Sequence, residues 1–101
     1  MKCLSLLVNE STKRELVELL QGLPEVSAYT IFHGEGHHTG DQQPFDSALD
    51  EVMGFVPRIR IDLFVAKENL TSVVERIKGC GSCEQAKGLY WVSAVEAMGE
   101  F

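Results

Sequence analysis

Leu4, Leu6 and Val8 recur at every second residue near the start of the chain, the period of a strand with one buried face, and predict a strand over residues 2–8. Ser11 and Thr12 then change the period. Thr12 and Glu15 have the spacing of a capping box, and Leu16, Leu19, Leu20 and Leu23 supply a helical stripe that Gly22 and Pro24 end. Val26 to His33, rich in β-branched and aromatic side chains, reads as a second strand. Residues 34–54 carry no continuous pattern and read as a long loop, with a short helix near its end capped by Asp46 or Ser47. Loops of that length are uncommon in small domains and are often functional.

The clearest alternation runs from Phe55 to Ala66. Ile59, Ile61, Leu63 and Val65 face one way, while Arg58, Arg60 and Asp62 face the other. Pro57 points to an edge position or to the beginning of the strand, because proline donates nothing to a ladder. A helix over about 68–78 follows, with Leu70, Val73, Val74 and Ile77 on one stripe and Gly79 as its terminator. Residues 80–88 read as a loop and Leu89 to Ala97 as the last strand. The order β-α-β-β-α-β over 101 residues predicts one α+β domain, residues 1–101. Its expected architecture is a ferredoxin-like βαββαβ sandwich, an antiparallel sheet with two helices on one face.

Composition removes several classes. A formal charge of −6 opposes a nucleic-acid role, which needs a basic face. No run approaches the roughly 20 apolar residues of a membrane span, so direct membrane insertion is not expected. The apolar start from Cys3 to Val8 is short and runs into Asn9 and Glu10 without a cleavage site, which favours a buried strand and a cytoplasmic protein. Three cysteines, an odd number, argue against a secreted disulfide scaffold.

Candidate chemistry gathers in His33-Gly34-Glu35-Gly36-His37-His38-Thr39-Gly40-Asp41, which holds every histidine of the chain. If the second strand continues past His33, then His33, Glu35 and His37 share a face. Two imidazoles and a carboxylate suit a divalent ion such as Zn²⁺, Co²⁺, Ni²⁺ or Cu²⁺, with His38 and Asp41 available to complete the shell. The plain alternative is a solvated polar loop. The glycine spacing does not match the dinucleotide fingerprint. Cys80 and Cys83 form a lone C-x-x-C, open to a redox pair, a soft-metal site or two ordinary thiols. No spacing assembles a nucleophile–histidine–acid set, so an enzyme is not expected.

Four segments carry a resemblance. Phe55-Val56-Pro57-Arg58-Ile59-Arg60-Ile61-Asp62, Val73-Val74-Glu75-Arg76-Ile77, Tyr90-Trp91-Val92-Ser93-Ala94-Val95-Glu96 and Gly34-Glu35-Gly36-His37-His38-Thr39-Gly40 occur in the order found in P-II signalling proteins. Together they resemble that family's third strand, second helix, last strand and T-loop opening. The resemblance implies a regulatory homotrimer with adenine nucleotide in its intersubunit clefts and a T-loop, here about residues 34–54, that engages a partner. Carried over, it places Gly36, His38, Asp62 and Lys87 at the nucleotide. The sequence departs from the family in its shortened loop, in His38 where a glutamine is usual, and in lacking the basic B-loop and basic C-terminal segment. Those departures resemble a short group associated with heavy-metal efflux. The expected function is therefore a trimeric sensor that binds a transition metal through its shortened loop and modulates a membrane transporter or efflux protein. The alternatives are an adenine-nucleotide module or a ligand-free adaptor.

Overall fold

The computed structural model describes residues 1–37, 48–81 and 88–101. The elements are β1 (Lys2–Asn9), α1 (Lys13–Gln21), β2 (Tyr29–Gly36), α2 (Ala48–Met53), β3 (Val56–Val65), α3 (Leu70–Lys78) and β4 (Leu89–Ala94). Short 3₁₀ turns, Glu10–Thr12 and Lys67–Asn69, lead into α1 and α3. The strands lie in the order β2-β3-β1-β4 and every pairing is antiparallel. This is the ferredoxin-like arrangement that the element order predicts.

Register explains the two-layer packing. Leu4, Leu6 and Val8 lie opposite Leu63, Ile61 and Ile59, so the buried faces of β1 and β3 coincide. Leu16 and Leu20 of α1, Leu23 beyond it, and Val73 of α3 close over that face. Leu19, Leu70, Val74 and Ile77 flank them, as both helical stripes predict. Among the described residues nothing covers the other face, where Phe32, Phe64, Leu89 and Trp91 stand exposed.

Several local expectations change. Thr12 does not cap α1. The 3₁₀ turn gives Thr12 helical dihedrals already, and its hydroxyl donates back to Asn9 O at 2.8 Å. Strand β2 runs from Tyr29 to Gly36, about three residues later than the β-branched run indicates, because the ladder with β3 continues through Gly34 opposite Arg58 and Gly36 opposite Val56. Pro57, by contrast, is second in β3, at the beginning of the strand as expected; β3 is an inner strand, but its last pair with β1 is Asn9 with Arg58, so no β1 carbonyl needs the missing N–H. Strand β4 stops at Ala94. Tyr90 and Trp91 are 48% and 42% exposed on this outer strand.

Candidate functional site on the open face of the sheet

The alternation that points Ile59 and Ile61 into the core sends Arg58 and Arg60 to the open face. Phe32 pairs with Arg60, Gly34 with Arg58 and Gly36 with Val56, so those side chains rise together from β2 and β3. Leu7 of β1 and Trp91 of β4 join them across the sheet. A cavity of about 560 Å³ lies there, lined by these residues and rimmed by His33, Glu35 and His37. Two consecutive open-face positions of β2 are glycines, which leaves its wall as bare backbone.

The two arginines differ in what satisfies them. Arg60 lies over the Phe32 ring at 4.6 Å and reaches Asp62 Oδ2 at 3.3 Å. Asp62 also accepts a 2.8 Å hydrogen bond from Ser5 Oγ, its cross-strand neighbour. Arg58 has no carboxylate partner among the described residues. Its Nη2 donates to Leu7 O at 3.5 Å, a long contact, and its buried Nε–H finds no acceptor.

His33 and Glu35 leave β2 toward the opposite face, and His37 follows the strand. His37 Nε2 lies 3.0 Å from Glu35 Oε1, with its ring 5.9 Å from that of Phe55. His33 Nδ1 turns instead to Glu10 Oε1 at 3.6 Å. Among the described residues no three ligand-type side chains converge. An extended chain accounts for that, since positions 33 and 37 stand about 13 Å apart at a rise of about 3.3 Å per residue. The structure thus brings Glu35 to His37 and sets His33 apart from them. His38, Asp41, Cys83 and Lys87 lie outside the described residues. Cys80, just after α3, is buried, its thiol donating toward Glu15 Oε2 of α1 at 3.8 Å. Of the residues carried over from the nucleotide expectation, Gly36 lines the cavity and Asp62 is held by Ser5 and Arg60.

The cavity itself was missed in the sequence. Its signal was present: alternate glycines that face a strand of alternate arginines. It went unread because position 34 onward looked like loop.

The fold and site define a small α+β sandwich with a ligand-sized cavity on the sheet face away from its helices. Residues 1–101 match the family model described as "Protein of unknown function (DUF3240)", and the chain belongs to that family. Among solved structures, it is similar to a DUF3240 family protein from Shewanella baltica OS155, with 13% identity over 99% of this chain and 94% of that one and a TM-score of 0.77. At that identity the likeness concerns the fold. No curated protein matches the chain. The resemblance to P-II proteins is corrected by this family assignment. Three of the four segments behind it lie on β3, α3 and β4, whose alternating or striped patterns any sandwich of this order carries. With that resemblance goes the ground on which a homotrimer was expected. Among the described residues no helix is long and apolar enough to cross a membrane.

Proposed function

We propose that this protein is a non-catalytic binding module that takes a divalent transition metal at the exposed end of β2 and modulates a partner through it. The contact between His37 Nε2 and Glu35 Oε1 at 3.0 Å carries the reading. Donors at about 2.0–2.2 Å around a tetrahedral ion lie about 3.3 Å from one another, so this pair needs little movement to chelate. Both side chains are more than half exposed and open to an incoming ion. His38 and Asp41, next in sequence, are the candidates for the remaining positions. The formal charge of −6 also favours accumulation of cations. Metal binding would change the charge at the end of β2 and so the surface offered to a partner such as a membrane transporter.

Calorimetric titration with Zn²⁺, Ni²⁺, Co²⁺ and Cu²⁺ tests the reading. Wild type should bind at least one ion, and Glu35→Gln and His37→Ala should each weaken it about tenfold or more. Equal affinities in all three proteins would refute it. Adenine nucleotide is the second reading, favoured by Gly36 on the cavity wall. ATP, ADP or AMP should then give saturable heat with no transition metal added.

A further inference from the structure

We infer that the open-face cavity binds a small monocarboxylate with a flat, apolar body, received by Arg58 and packed between Phe32 and Trp91. This inference rests on Arg58, Phe32 and Trp91 and not on the Glu35–His37 contact, which lies at the rim of the same cavity.

Three observations converge. First, Arg58 is a guanidinium with unmet demand: one 3.5 Å bond to Leu7 O and a buried Nε–H without an acceptor. Such groups are rare in folded proteins and costly to leave unsatisfied, and a carboxylate matches the planar fork of an arginine. Secondly, Arg60 is already committed to Asp62 and to the Phe32 ring. The cavity therefore offers one uncompensated positive charge among the described residues, with Glu35 on its rim. That balance suits a monoanion better than a phosphate dianion. Thirdly, the cavity measures about 560 Å³ and is bounded by the Phe32 ring and the Trp91 indole over bare glycine backbone at positions 34 and 36. Cavities of about 300–1,000 Å³ with mostly apolar walls and few polar anchors are those that take small organic ligands. Aromatic walls prefer a flat body.

Trp91 is the sole tryptophan, so its emission reports on the cavity directly. The probes are phenylacetate, its uncharged analogue phenylacetamide, and inorganic phosphate as an anion without an apolar body. Wild type should respond saturably to phenylacetate, with phenylacetamide about tenfold weaker or more, as loss of a charge-assisted pair implies. Arg58→Met should lower phenylacetate affinity to the same degree. Gly34→Leu should abolish the response by filling the cavity; a Cβ there meets no heavy atom within 4 Å, so the fold should hold. Circular dichroism and melting of each variant establish that it is folded. The inference is overturned if wild type gives no saturable response, including the case where sedimentation shows a second copy seated on this face. It is equally overturned if the amide binds as tightly as the acid, if phosphate displaces phenylacetate, or if folded Gly34→Leu responds like wild type.

Discussion

Arg58 lies flat against the backbone of Gly36: a Cβ at position 36 would come within 2.6 Å of Arg58 Cδ and 2.7 Å of its Cγ. Two residues earlier, a Cβ at Gly34 would meet nothing within 4 Å. The two glycines of one strand should thus answer alanine in opposite ways. Gly36→Ala must push the arginine stem aside and also crowds Val56 O at 3.2 Å, at a cost of roughly 1–3 kcal/mol. Gly34→Ala should be neutral, or stabilise by about 0.4–1 kcal/mol through the unfolded chain. Urea unfolding of both variants checks the contrast. Equal effects would mean that Arg58 does not rest where the cavity needs it.

Among the described residues one face of the sheet is covered and the other is not, and β3 reports on both. Ile61 is fully buried beneath the helices, whereas Phe64 on the open face is 41% exposed. Ile61→Ala should cost about 2–5 kcal/mol, the range for a large side chain truncated in a packed core. Phe64→Ala should cost under about 1 kcal/mol in the isolated chain. A large loss at Phe64, read from the denaturation midpoint at several protein concentrations, would reveal that another surface covers this face.

How much of this was legible in the sequence follows from the kind of signal each part depends on. Strand β3 and the helix stripes were plain, because burial on one face imposes a strict period on Ile59, Ile61, Leu63 and Val65 and on Leu70, Val73, Val74 and Ile77. Strand β2 was displaced by about three residues because its last third is glycine and charge, and only pairing with β3 holds it extended. That displacement hid the cavity, since Gly34 and Gly36 show their meaning only once Arg58 is placed beside them. The candidate metal residues were found by composition, but their division into Glu35–His37 and His33–Glu10 needed the position of Glu10, twenty-three residues earlier. The cross-strand partner of Asp62 was likewise out of reach, because strand order decides it.

That partner is Ser5, whose hydroxyl donates to Asp62 Oδ1 at 2.8 Å from a buried position. The same carboxylate anchors Arg60 at 3.3 Å, which in turn sits over Phe32. Ser5→Ala and Asp62→Ala should therefore be non-additive. A double-mutant cycle by chemical denaturation should return a coupling of about 1–2 kcal/mol, as expected for a bond from a neutral donor to a charged acceptor. Additive losses would show the bond to contribute nothing.

The histidines give the last test, because the fold separates what the sequence groups. His33 is oriented by Glu10 and His37 by Glu35, and about 13 Å of extended chain divides the two positions. If metal binds at the Glu35–His37 pair, His37→Ala should weaken Zn²⁺ about tenfold or more, while His33→Ala should change it less than about threefold. Glu10→Gln should follow His33→Ala, since it disturbs only that partner. The opposite pattern, with both histidine variants equally damaging and the double variant no worse, would place both imidazoles on one ion. That result would require the end of β2 to leave its ladder when metal binds, and loss of amide-exchange protection at Gly36 on adding Zn²⁺ would detect it.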